Sequence, residues 1–79
     1  MSSESRLIAD AKAGSVTAFT GLVEAYREGL FRFLLTRCNN HADAEDALQD
    51  TLINAYRYIN SYNSQWRFST WLYRIAIRN

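Results

Sequence analysis

Seventy-nine residues without a proline, and with only three glycines, leave this chain few places to turn. Proline and glycine are the strongest local breakers of regular structure. An all-β fold would need a turn signal about every ten residues. Long helices are therefore permitted and a sandwich or barrel is not. A chain of this size is one domain at most, and it buries only about 60% of its unfolded surface. Hydrophobic residues make up 48% and charged residues 22%, an ordinary globular mixture rather than a disordered one. No run approaches the roughly 18 apolar residues of a membrane span. The start, "MSSESRLIADAKAG", has no apolar core or cleavage-site pattern of a signal peptide. The single Cys38 excludes an internal disulfide and fits a reducing cytoplasm.

Four helical segments follow from the apolar spacing. The first spans roughly residues 4–13, with Leu7, Ile8 and Ala11 on one side, and Gly14 ends it. Ser15 is placed to cap the second. Its apolar positions, Val16, Phe19, Leu22, Val23, Tyr26, Leu30, Phe33 and Leu34, step mostly by three and four. Gly21 and Gly29 interrupt that stripe, either weakening the helix or admitting a close neighbour. "RCNNHAD" breaks it, and Asp43 is expected to cap the third helix, with Asp43, Glu45 and Asp46 in its first turn. That helix is expected to reach about Ile59. Ser69 is expected to cap the fourth, "TWLYRIAIRN". No C-terminal stop signal precedes the chain end, so the natural protein is expected to be longer.

The third helix has two faces. At about 100° per residue, Ala44, Ala47, Leu48, Thr51, Leu52, Ala55, Tyr56 and Ile59 form a core stripe. Opposite lie Asp46, Gln49, Asp50, Ile53 and Arg57. Asp46 and Asp50 are a like-charge i,i+4 pair, which costs a few tenths of a kcal/mol. The face reads as a solvated surface with one stray isoleucine, or as a docking surface whose apolar centre is ringed by acceptors for a basic helix.

The net charge is only +1, but its distribution is uneven. Residues 41–60 hold Asp43, Glu45, Asp46 and Asp50 against Arg57; residues 61–79 hold Arg67, Arg74 and Arg78 and no acid. An acidic block followed by a basic one suggests two different partners. Within the basic block the connector "YNSQWRFSTW" carries four rings where loops usually carry small polar groups. Rings stack on unpaired bases, and arginines hold a phosphate backbone. Tyr62, Trp66, Phe68 and Trp71 supply rings; Trp71, Arg74 and Arg78 share one face of the last helix. Asn63, Ser64 and Gln65 can bond the edges of an extruded base. The competing reading is core packing, strongest for Phe68 and Leu72 and weakest for Trp66.

Other chemistries are poorly supplied. Cys38 and His41 are two ligands at most, short of a zinc site. No glycine-rich phosphate loop and no nucleophile–base pair is visible. Neither a metal nor another cofactor is expected, and the protein is not expected to be an enzyme.

Residues 43–79 resemble region two of bacterial sigma factors, most closely the extracytoplasmic-function group. "DALQDTLINAYR" is similar to that family's D-x-x-Q-[ED] helix, and "FSTWLYRIA" to its F-x-T-W-L-Y-R-I-A motif. Residues 4–38 resemble its two leading helices more loosely. The resemblance implies an all-α, three- to four-helix bundle in the cytoplasm. It implies that Asp46, Gln49 and Asp50 dock on the clamp helices of the largest subunit of core RNA polymerase. Ile53, Asn54 and Arg57 extend that surface on the helical wheel. It further implies that Tyr62, Asn63, Ser64, Gln65, Trp66 and Arg67, with Trp71, Arg74 and Arg78, melt the promoter minus-ten element and capture its non-template strand. An anti-sigma factor covering these faces would be a further partner. Two features depart from the family. Arg78 stands where relatives often have an asparagine, with Asn79 one position later, and the connector has Trp66 and no glycine. Nothing resembles a minus-thirty-five-reading helix-turn-helix domain. A helical protein-binding module without DNA binding is the alternative.

Overall fold

The computed structural model describes residues 3–78. Four helices follow one another: α1 (Ser3–Lys12), α2 (Val16–Leu35), α3 (His41–Arg57) and α4 (Phe68–Arg78), with a single 3-10 turn at Ile59–Ser61. Asn79 lies outside the described residues. The longest helix, α2, is the centre of the bundle and packs against each of the other three. Its apolar stripe supplies Phe19, Leu22, Val23, Leu30 and Leu34 to the core, all nearly inaccessible. Leu48 and Ala55 of α3 and Phe68 and Leu72 of α4 close over them.

The α1–α2 corner is made by two adjacent residues. Gly14 sits at φ +106°, where a Cβ is strained, and so releases the chain from α1. The Ser15 hydroxyl then accepts from the Ala18 N–H at 3.0 Å and starts α2. Further along α2, Gly29 admits a close neighbour. A Cβ there would lie 2.9 Å from the Tyr73 hydroxyl, so the missing side chain is what lets α4 lean on α2.

Three expected boundaries move. Asn40, not Asp43, caps α3: its side-chain oxygen accepts from the Asp43 N–H at 2.9 Å. The helix therefore starts at His41, and of the acids only Asp43 falls in the first turn. An asparagine three residues earlier offers the same acceptor, and the cap goes to it. At the other end α3 stops at Arg57, and a 3-10 turn follows. Ser61 donates from its hydroxyl to the Tyr58 carbonyl at 2.7 Å. Ile59 nevertheless keeps its place in the core. Finally, α4 begins at Phe68, so Ser69 lies inside its first turn, and the Trp71 N–H bonds the Arg67 carbonyl at 3.2 Å. Burial of Phe68, not a hydroxyl cap, sets that start.

Thr51 is the one buried polar residue among those described, and it is satisfied: its hydroxyl donates to the Ala47 carbonyl at 2.7 Å. Tyr56, expected in the core stripe, is 40% exposed. Its ring meets Phe19 with centroids 5.1 Å apart and leaves its outer edge to solvent.

The turn glycine and the helical glycine separate in a stability measurement. Gly14→Ala should lower the unfolding free energy by about 1 kcal/mol or more, because alanine is strained at that φ. Gly21→Ala should raise it by a few tenths to about 1 kcal/mol. There the helix is regular and the new Cβ would meet Leu7 at an ordinary 3.8 Å. Urea denaturation of both variants checks the opposite signs.

Candidate nucleic-acid interface

The connector is built around Tyr62, and this overturns its expected role as an open stacking ring. Tyr62 is only 5% exposed. Its ring lies edge-on to Phe68 and Trp71, with centroids 5.4 and 5.5 Å away. Tyr26 of α2 joins the same cluster through Phe68 at 5.6 Å. Such contacts contribute about 0.5–1.5 kcal/mol per pair beyond area burial. The Tyr62 hydroxyl donates to the Trp66 carbonyl, and the Tyr62 carbonyl accepts from the Lys12 ammonium at 2.6 Å. A polar ring tip inside the core thus holds the loop, because a buried phenol must find an acceptor.

Between Tyr62 and Phe68 the chain makes a tight turn. The Asn63 side-chain oxygen accepts from the Gln65 N–H at 2.9 Å, and the Trp66 N–H bonds the Asn63 carbonyl at 3.0 Å. Asn63 spends its acceptor on the turn instead of offering it to a base. The turn projects Trp66 outward with 54% of its surface exposed. Arg74 of α4 lies over the Trp66 ring at 5.4 Å, close enough for a cation–π contact that stiffens both.

On the inner side of this turn lies a cavity of about 530 Å³. The connector lines it with Tyr62, Ser64, Gln65, Trp66 and Arg67, and α4 with Phe68 and Ser69. Its far wall is Glu4, Ser5 and Ile8 of α1 and Tyr26 of α2. Of the expected DNA residues, Tyr62, Ser64, Gln65, Trp66 and Arg67 therefore gather around one cavity. Asn63, Trp71, Arg74 and Arg78 do not line it. Trp71 is half-buried behind the aromatic cluster, while Arg74 and Arg78 are exposed along α4. The wall from α1 and α2 was not visible in the sequence. It joins elements about 20 to 60 residues apart, and no periodicity marks such a junction.

The Tyr26 hydroxyl donates to a Glu4 carboxylate oxygen. Burial pushes its pKa up to about 12, helped by that hydrogen bond and by the charge of Glu4. Burial, and then Glu4, also raises Tyr62.

The α3 face is separate. Asp46, Gln49, Asp50 and Arg57 are exposed, Asn54 is half-buried, and Ile53 is 55% exposed at the centre. Beside it runs a groove of about 450 Å³ between α2 and α3, with Phe31 and Leu48 facing it and Glu24, Glu28, Glu45, Arg27 and Gln49 around them. Glu24 and Glu28 were passed over in the sequence, although their i,i+4 spacing puts both on one side of α2. No three His, Cys, Asp or Glu side chains come together for a metal among the described residues. No helix among them is long and apolar enough to cross a membrane.

A structural neighbour shares this fold. It is an engineered region 2 of sigmaE, solved by NMR in complex with GTAAAA. The two superpose with a TM-score of 0.84 and 33% identity, over 99% of this chain and 80% of the other. The family model for sigma-70 region 2 matches residues 22–79. This chain belongs to the sigma-70 region 2 family. Among curated relatives, the ECF RNA polymerase sigma factor SigW of Bacillus subtilis is 38% identical over 69 residues, covering 87% of this chain. The ECF RNA polymerase sigma-E factor of Haemophilus influenzae is 39% identical over 71 residues, or 90% of it. The chain spans 37% of the length of each of these two relatives. A region 2 domain thus combines the outward Trp66–Arg74 pair, the cavity behind it and the exposed α3 face in one small bundle.

The raised tyrosines give the region 2 domain a defined alkaline limit. The folded pKa of Tyr26, about 12, lies above the unfolded value of about 10, and that of Tyr62 is raised in the same direction, so the Tyr26 contribution is complete below pH 10 and falls as pH rises towards about 12. The unfolding free energy should therefore decline across that window, and Tyr26→Phe should flatten the decline. Denaturant titrations at successive pH values check the slope.

Proposed function

We propose that this domain serves an extracytoplasmic-function sigma factor as a two-sided adaptor in transcription initiation. In this reading α3 binds core RNA polymerase at the clamp helices of its largest subunit, through Asp46, Gln49, Asp50, Ile53, Asn54 and Arg57. The connector and α4 take up the non-template strand of the minus-ten element. Trp66 offers a stacking face, Ser64, Gln65 and Arg67 line the pocket for an extruded base, and Arg74 and Arg78 hold the backbone alongside. Base pairing lost on melting is exchanged for stacking and pocket contacts. Catalysis belongs to the polymerase and none to this domain, and the site of action is the cytoplasm where polymerase and promoter meet.

The carrying observation is the placement of Trp66. A core ring would be buried like Tyr62 or Phe68, but Trp66 stands more than half exposed beside a cavity and against an arginine. Family membership and a neighbour solved with GTAAAA support the same reading. Tyr62 acts by holding the loop and not by stacking on DNA, since its ring is enclosed. A purely protein-binding module is favoured by the half-exposed Ile53 and by the groove beside it.

Trp66→Ala separates the two. It should leave thermal stability nearly unchanged and weaken binding to a single-stranded minus-ten oligonucleotide by about 1–3 kcal/mol, measured by fluorescence anisotropy. Loss of stability with no change in DNA binding would favour the protein-binding module. The wild-type affinity should fall with salt at a slope of about −2 in log–log form, because three arginines neutralise few phosphates. In parallel, Asp50→Arg should abolish binding to an isolated clamp-helix fragment while the helical circular dichroism stays intact.

A further inference from the structure

Lys12 is the only lysine in the chain, and of the nine Lys and Arg side chains it is the only one that is not exposed. Withdrawing a lysine from solvent costs hydration and side-chain entropy. A cation at the last residue of a helix commonly serves that helix, by bonding its last carbonyls. Here those carbonyls are taken: Ala9, Asp10 and Ala11 accept from the N–H groups of Ala13, Ser15 and Gly14. Lys12 instead meets one residue of the connector, twice. Its ammonium donates to the Tyr62 carbonyl at 2.6 Å and stands 5.6 Å from the centre of the Tyr62 ring. That carbonyl shares a peptide plane with the Asn63 N–H, so the contact fixes the plane in which the turn begins. Asn63 passes the order forward: its carbonyl accepts from the Trp66 N–H, and its side-chain oxygen from the Gln65 N–H. The chain of contacts thus runs from the end of α1 to Trp66, and on to Arg74 over its ring. Lys12 does not line the cavity beside Trp66.

We propose that Lys12 is a positioning residue for single-strand uptake, holding the Trp66–Arg74 pair in its binding geometry from outside the cavity. A hydrogen bond from an ionised donor is roughly twice as strong as a neutral one, and this one is made to backbone at the start of the turn. Connectors that lack such ties open locally at little cost. Apparent affinity falls with the fraction of molecules that hold the competent conformation. The effect is confined to one side of the domain, because α1 packs on α2 and on the 3-10 turn and not on α3. This inference rests on the nucleic-acid reading of the connector and adds the residue that presents it.

Lys12→Met keeps the aliphatic stem and removes the donor and its charge. Its affinity for a single-stranded minus-ten oligonucleotide, measured by fluorescence anisotropy, should fall about three- to tenfold, the range of one net hydrogen bond. Helical circular dichroism and binding to the clamp-helix fragment should stay as in wild type. Two further readouts separate positioning from direct contact and from general support. Removing a lysine that touched phosphate would take about one unit from the log–log salt slope, whereas removing a positioning lysine leaves the slope unchanged. In a double-mutant cycle, Lys12→Met added to Trp66→Ala should change affinity by less than about twofold, because Lys12 acts through that ring. Unchanged affinity in Lys12→Met, a shallower salt slope, or a full loss added on top of Trp66→Ala would each overturn the assignment while leaving nucleic-acid binding in place. Loss of the helical signal in Lys12→Met would overturn it as well, by making Lys12 a support of the whole bundle. Wild type that binds no oligonucleotide, with Trp66→Ala indistinguishable from it, would sink this inference and the nucleic-acid reading together.

Discussion

The edge-to-face packing of Tyr62 on Phe68 is the contact on which the functional half of this domain depends. It joins a connector with no regular hydrogen-bond ladder to the first residue of α4. Through its carbonyl Tyr62 also holds the end of α1, and through its hydroxyl it holds the turn that presents Trp66. Loops of a small domain are usually the first parts to open. Here the loop is nailed at its centre by a core residue, so the exposed ring and the cavity beside it keep their geometry without a bound partner. Preorganisation of this kind lowers the ordering cost of binding.

The same economy separates the two faces. The α3 helix turns Ala44, Leu48, Thr51 and Ala55 inward and leaves Asp46, Asp50 and Ile53 outside. The Trp66–Arg74 pair and the cavity beside it belong to the connector and α4. A charge change on α3 can therefore alter that face without passing through the aromatic cluster. Sites that share no contacts behave additively.

Most of the fold was legible because helical periodicity is a strong signal in a chain with few breakers. The stripe of α2, the two faces of α3 and the Gly14–Ser15 corner all follow from spacing and cap chemistry. Where two residues offered the same chemistry, the choice was not legible: Asn40 and Asp43 can both cap, and tertiary packing took the earlier one. The start of α4 was set by the burial of Phe68, which outweighs the local preference of Ser69. In the connector, the sequence already ranked Phe68 as the ring most suited to the core and Trp66 as the least, and their exposures agree, but it did not show that Tyr62 turns inward. Tyr62 and Trp66 differ only in their three-dimensional neighbours, and a one-dimensional pattern carries no such information. Glu4 and Tyr26 were missed for the same reason.

The match to the region 2 family begins at residue 22, whereas α1 ends at Lys12. Yet α1 supplies Glu4, Ser5 and Ile8 to the pocket. The cavity is therefore built from segments far apart in the chain, one of which precedes the residues that the family model matches. A substitution at Ser5 or Ile8 can alter the pocket wall while the connector and α4 keep their sequence. For an engineer this makes the pocket-facing side of α1, as distinct from its core-packed Leu7 and Ala11, a place to vary. For the natural history of such domains it offers a route by which one wall of the pocket can drift while the other is left untouched.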